Sequence, residues 1–368
     1  RILNFAGHEV ISDNHIGDWG TQFGMIIYGF RNFASQEAYQ QEPVTELARM
    51  YRLVNQISDY HAAVEKLPKV QTQISDLKSQ ITDAEPAGDD KNAKKALKKL
   101  KSELASQQEA AAGFASKIAT IDDDPSLKSL AAEHVDIARN ARLETAKLHA
   151  GDEENRQLWD EFLPECLKAL DAVYDKLGVS FDKTLGESFY QPMLGDVVAE
   201  LKSAGMAADS DGAACVFIEG NDAPFIVQKS DGAFTYATTD LATIRYRVQE
   251  FGTQVMLYVV DTRQSEHFQL LFNVARKWGY GDIDFRHVNF GTVLGDDRRP
   301  FKTRSGDTVG LESLLDEAVA RAFDIVVEND PDNALDDEAR KAVAQAVGIG
   351  GIKYADLHHS RESDYVFN

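Results

Sequence analysis

Two kinds of apolar spacing divide this chain. Leu67, Val70, Ile74, Leu77 and Ile81 recur at alternating intervals of three and four. After the turn-prone Glu85-Pro86-Ala87-Gly88-Asp89-Asp90, the rhythm resumes at Ala93, Leu97, Leu100, Leu104, Gln107, Ala111, Phe114 and Ile118. A narrow stripe at this period is a helix seam. Two such arms joined by a Pro-Gly turn are expected to fold back as an antiparallel coiled-coil hairpin. Lys91, Lys94, Lys95, Lys98, Lys99 and Lys101 fall mostly off the stripe, as a solvated face or as an arm for RNA or a protein partner. Residues 126 to 178 continue helical, with Trp159, Phe162, Leu163, Cys166, Leu167, Leu170, Val173 and Tyr174 forming a core face.

From Gly178 the pattern shortens into strands and turns: Val179-Ser180-Phe181, Cys215 to Ile218 and Phe225 to Gln228. Val255 to Val260 is an unbroken apolar run ending at Asp261, as in a parallel strand buried on both faces. A helix from Glu266 to Trp278 and a strand from Phe285 to Phe290 follow. Strand, helix, strand predicts an α/β fold with a doubly wound parallel sheet. Residues 1 to 7 read as a helix end closed by Gly7, Glu9-Val10-Ile11 as a short buried strand, and the chain from Leu311 as helical. The expected organisation is a first core segment at 1–43, a helical insertion at 44–150, a second core segment at 151–310 and a helical segment at 311–368.

Composition narrows the class. With 368 residues, 43% hydrophobic and 27% charged, the chain has the make-up of a soluble globular protein able to bury a full core. No apolar run is long enough for a membrane span. Two cysteines, Cys166 and Cys215, lack metal-site spacing and suit a reduced, cytoplasmic compartment as small core residues. The net charge of −21 disfavours non-specific nucleic acid binding, DNA included. RNA would need a local basic face or a part of the protein outside this chain.

The densest signal is Asn14-His15-Ile16-Gly17-Asp18-Trp19-Gly20-Thr21-Gln22-Phe23-Gly24. Glycines so close together suit a tightly folded backbone rather than a helix or strand interior. An apolar stretch, Met25 to Phe30, follows as a helix would. Strand, Gly-rich turn and helix place ligands at the carboxyl ends of strands. Taken alone, the segment fits a phosphate or adenosine site, or a structural turn with Trp19 in the core. No Ser/His/Asp triad, zinc spacing or Gly-x-x-x-x-Gly-Lys phosphate loop accompanies it.

This segment resembles the one just downstream of the HIGH motif in arginyl-tRNA synthetases. Further blocks stand in that family's order: Gly186-Glu187-Ser188-Phe189-Tyr190, Tyr236-Ala237-Thr238-Thr239-Asp240-Leu241, Asp261-Thr262-Arg263-Gln264, Pro300 to Gly306, and Val347 to Leu357. They cover residues 1–45 and 145–368 well and the middle poorly. The resemblance implies a class I Rossmann-like catalytic core that activates arginine with ATP and Mg²⁺ and transfers it to tRNA(Arg). It further implies that the HIGH motif precedes Arg1, that a helical anticodon-binding domain follows Asn368, that the piece by itself is nearly inactive, and that the protein is a monomer. The rival reading is a non-catalytic truncated paralogue acting as a binding module through its arm. A His-x-Gly-His block upstream would separate the two.

Several residues take roles from the resemblance. Tyr236 and Asp240, spaced Tyr-x-x-x-Asp, match the family's arginine site, joined by Gln264. The chemistry suits them, because a carboxylate accepts two parallel bonds from a guanidinium fork that lysine lacks. Without the resemblance, Asp240 reads as a residue of a helix start at Thr238-Thr239-Asp240, and Gln264 as a surface loop residue. His15, Gly17, Asp18, Gly20, His267, Gly291, Val293 and Leu294 are assigned to the nucleotide side, with the Gly291 loop close to adenine. Arg299, Lys302 and Thr303 resemble a degenerate KMSKS loop whose first lysine is Arg299. Such a loop would neutralise charge gathering on the departing pyrophosphate. No protein-held metal is expected, Mg²⁺ arriving with ATP.

Overall fold

The computed structural model describes residues 1–84, 91–221, 223–294 and 311–366. The chain forms two compact units, one of Trp19–Ala169 and one of Arg1–Asp18 with Leu170–Asn368. These divisions fall at different points from the 43/44 and 150/151 boundaries expected from composition.

The unit Trp19–Ala169 is helical. It contains α2 (Thr21–Phe33), α3 (Gln36–Gln41), α4 (Pro43–Ala84), α5 (Lys91–Asp122), α6 (Pro125–Glu133), α7 (Ile137–His149) and the first part of α8 (Glu153–Leu177). The stripe read from sequence is the packed face of the hairpin. On α5, Leu97, Leu100, Leu104, Gln107, Ala111, Phe114 and Ile118 are half-buried, and the other described positions from Asn92 to Thr120 are exposed. Leu77 and Ile81 of α4 are buried. The helices run antiparallel: Lys117 Nζ meets Asp59 Oδ2 at 2.7 Å, and Ile121 packs with Val54 and Ile57. Asp124 starts α6 by accepting bonds from the Ser126 and Leu127 amides, with Pro125 in the first turn.

Helix α2 belongs to this unit because its apolar face is spent here. Phe23 and Ile27 join Trp19, Tyr39, Leu47, Leu148 and Phe162 in one core, while Tyr28 joins Ile57 and Ile137 in another. Gly24 lies against Ala141 and Thr145, and Gly29 against Met50 and Val54. Glycines on this face let the α2 backbone approach α4 and α7 closely.

The other unit holds α1 (Ile2–Phe5), closed by Gly7 at φ +89°, and the end of α8. Next come α9 (Glu187–Tyr190), α10 (Leu194–Ser203), β1 (Ala207–Ser210), β2 (Ala213–Val216), β3 (Phe225–Gln228) and α11 (Tyr236–Phe251). Then follow β4 (Val255–Tyr258), α12 (Ser265–Ala275), β5 (Asp284–His287), β6 (Val293–Leu294), α13 (Leu311–Glu328), α14 (Asp337–Leu357) and β7 (Tyr365–Val366). Strands β1, β2 and β3 form an antiparallel sheet, with Ala207 opposite Val216 and Val216 opposite Phe225. β4 and β5 pair in parallel from Val255–Asp284 to Tyr258–His287, with α12 as their crossover. β6 and β7 pair in parallel, Val293 with Tyr365. Tyr190, Leu194, Leu201, Val227, Leu241, Ile244, Leu271 and Phe285 are among the residues that fill the core.

The structure corrects several expectations. Among the described residues the parallel sheet consists of short pairs. Val255 to Val260 is not buried on both faces: Met256 and Tyr258 point inward, whereas Val255, Leu257 and Val259 are 50%, 40% and 67% exposed. The run therefore has the alternation of a strand covered on one side. Residues 9–11 and 179–181 form no strand; the segments after them meet at a parallel bridge between Asp13 and Lys183, where the Ser12 carbonyl also accepts from the Asp182 and Lys183 amides. Helix α11 starts at Tyr236 rather than at the Thr-Thr-Asp run. Inside the helix, Thr238 bonds the Val227 carbonyl and Thr243 bonds Thr239, so the hydroxyls find acceptors without capping.

Candidate nucleotide and amino acid site

The opening turns of α11 and α12 bring the chemistry together. Asp240 and His267 meet at 2.6 Å, carboxylate Oδ2 to imidazole Nε2, with side chains 17% and 12% exposed. The Tyr236 ring stands 4.7 Å from the His267 ring, and Phe225 stacks against the same imidazole at 6.1 Å. Tyr236 is 67% exposed, so its hydroxyl is open to a ligand while its ring leans on His267. Gln264 ends the short 3₁₀ turn Thr262–Gln264 immediately before α12 and is exposed. Asp261 begins that turn, accepting a bond from the Arg263 amide, and pairs in parallel with Phe290. This is the carboxyl end of the parallel pair, where α/β folds gather ligands.

The Gly-rich segment reaches the site through His15. Its ring is 5.6 Å from that of Tyr190. Desolvation by burial holds the imidazole below its ordinary pKa, while the charge of Asp240 pulls the other way. Asp18 faces inward, its two oxygens accepting from the Ser188 amide at 2.8 Å and the Ser188 hydroxyl at 2.6 Å. A Cβ on Gly186 would collide with that carboxylate, which explains the glycine beside it. Asp18 thus shapes the wall, and Gly17 lies beside the Glu187 carboxylate. Gly20 occupies the N-cap of α2 in the other unit. Gly291 is crowded by the Ser363 carbonyl, and its amide donates to Arg361 at 2.8 Å. The close approach this glycine allows is therefore to the chain's own later segment, beside the Val293–Leu294 pairing. Arg299, Lys302 and Thr303 lie outside the described residues.

Sequence reading missed three neighbours of the site: Glu187, Arg247 and Asp13. Arg247 was legible in principle, since seven residues after Asp240 return to the same helix face. Glu187 titrates above the ordinary glutamate range, first because burial strips its water and then because Asp18 and Asp240 repel its charge. A raised value means that the folded chain holds this proton more tightly than the unfolded chain does. Its stabilising contribution is then present below the ordinary range and lost as pH rises through the raised value. Glu187→Gln removes that loss. Calorimetry should show a midpoint a few degrees higher at about pH 7.5 and no gain near pH ~4, where little charge remains to remove. A lower midpoint at neutral pH would mean that the fold uses the charge.

These features define a class I synthetase type of α/β core, with a carboxylate–imidazole pair at the mouth of its parallel strands. The family model for class I tRNA synthetases (R), catalytic domain, matches residues 1–127 and 97–368. The chain belongs to that arginyl family. It is 48% identical to the arginine–tRNA ligase of Rhodopirellula baltica over 100% of its own length and 57% of that protein. Against the arginine–tRNA ligase of Fusobacterium nucleatum it is 36% identical, over 100% of the chain and 51% of the relative. The chain thus spans about half the length of the curated relatives it matches. The crystal structure of arginyl-tRNA synthetase from Plasmodium falciparum superposes with a TM-score of 0.62 at 24% identity, covering 100% of this chain and 48% of that one, and shares its fold.

Proposed function

We propose that this chain is the core of an arginine–tRNA ligase, which forms arginyl-adenylate from arginine and Mg²⁺–ATP and then esterifies tRNA(Arg). The observation that carries the reading is Asp240. Its carboxylate is three-quarters enclosed or more and paired with His267, against whose ring the exposed Tyr236 stands. A planar cation with a fork of donors suits such an acceptor. Asp240 and Tyr236 would take the guanidinium and Gln264 the amino acid end. His15, Gly17, Asp18, His267, Gly291, Val293 and Leu294 would shape the nucleotide side.

The chemistry requires no protein nucleophile. The arginine carboxylate attacks the α-phosphorus, the bond to the bridging oxygen breaks, and pyrophosphate leaves with the charge. Lys302 and Arg299 would neutralise that charge as it develops, with Thr303 offering a hydroxyl donor. ATP–pyrophosphate exchange by the longer protein carrying this chain, supplied with tRNA, should require arginine and ignore lysine. Exchange that ran equally with lysine would reject the specificity. Lys302→Ala should lower kcat for exchange roughly 100- to 1000-fold with a smaller change in the arginine KM.

A further inference from the structure

A second internal carboxylate lies close to the proposed arginine site, already gripped by a guanidinium. Asp13 Oδ2 accepts from Arg247 Nη2 at 2.8 Å, with side chains 7% and 14% exposed. The other Asp13 oxygen accepts from the Leu185 amide at 3.2 Å, and the neighbouring Asn14 amide donates to Lys183 at 2.9 Å. The guanidinium sits 5.5 Å from the centre of the Tyr258 ring. Arg247 follows Asp240 by two turns of α11, about 10 Å along one face. Between them lies Thr243, 1% exposed.

Such a pair adds little stability by default, because stripping water from both ions offsets their attraction. What it does supply is position. One guanidinium nitrogen on one Asp13 oxygen, with the other oxygen held by the Leu185 amide, ties the segment leading into His15 to the helix that carries Asp240. It also cancels a buried cation beside a site meant for another cation. His15 lies within the electrostatic reach of all three charges, Asp240, Arg247 and Asp13.

We infer that Asp13 and Arg247 are positioning residues for arginine: they hold the His15–Gly17 segment against α11 and neutralise a guanidinium that would otherwise repel the substrate. The inference rests on the reading of Asp240 given above. Arg247→Lys keeps the charge and loses the planar guanidinium that places Nη2 on Asp13. In the full-length protein it should raise the arginine KM about tenfold, with kcat within about threefold. Asp13→Asn leaves the guanidinium uncompensated and should raise KM further, about 30-fold or more, and adding Arg247→Met to it should recover part of the loss. If the single variants lower the thermal midpoint yet leave the arginine KM within twofold, the pair is a structural staple and the inference fails. Arg247→Lys gives the readout should Asp13→Asn not fold. Asp240→Asn run alongside separates the two claims. A raised KM there with none in Arg247→Lys sinks only the positioning role, whereas no change in either sinks the site.

Discussion

Asp240→Asn should raise the arginine KM by roughly 30- to 700-fold, equal to about 2–4 kcal/mol for removing one member of an enclosed charge pair. The amide is nearly the same size, so packing around α11 survives and the thermal midpoint should move by only a few degrees. What changes is electrical. Asparagine offers one acceptor oxygen and turns a donor toward His267 or toward the substrate, both of which present donors of their own. His267 makes the effect larger. With the carboxylate in place, the imidazole sets its orientation at 2.6 Å, so arginine meets an acceptor already aimed. Steady-state exchange kinetics across arginine concentrations provide the measurement. An unchanged KM would remove Asp240 from the site.

The family resemblance singled out this carboxylate, yet the sequence did not disclose the company it keeps. The Tyr-x-x-x-Asp block was legible although its helix begins at Tyr236 and not at the expected Thr-Thr-Asp run, and the α5 seam residues from Leu97 to Ile118 proved to be that stretch's half-buried positions one for one. Local periodicity carries such information because a helix face is set by neighbours three and four apart. The pairs Asp240–His267, Asp13–Arg247 and Asp18–Ser188 join residues 27, 234 and 170 positions apart. No local pattern encodes them. The strand at Val255 misled for a related reason. An apolar run says that burial is available to it, and only the surrounding elements decide whether one face or both receive it. Asp18 illustrates the same limit on the site. Its place in the Gly-rich segment suggested a wall of the nucleotide side, but not the partner, Ser188, whose amide and hydroxyl its oxygens accept.

Gly24→Ala should be among the most destabilising single changes in the helical unit. Helix propensity by itself favours alanine by up to about 1 kcal/mol, so a loss of stability must come from the space that the new methyl would enter. That space is taken: a Cβ there would overlap the Ala141 carbonyl and the Thr145 hydroxyl, with the Thr145 amide nitrogen at 2.7 Å. A hydroxyl can rotate away. The backbone of α7 cannot, because Ala141 is itself in the core with Tyr28, Ile57 and Ile137 and the Thr145 hydroxyl bonds the Ala141 carbonyl at 3.2 Å. The helices must separate, opening contacts on both sides of α2, at a cost of about 2–3 kcal/mol net. Denaturant titration should therefore give a lower midpoint with little change in slope. Gly29→Ala, where the nearest obstacle is the Met50 Cβ at 2.9 Å, should cost less, since that overlap is shallower than those with the Thr145 hydroxyl and the Ala141 carbonyl at Gly24 and the helices need part by less. A Gly24→Ala variant as stable as the parent would mean that α2 and α7 stand further apart than this packing requires, and that the glycine is there for another reason.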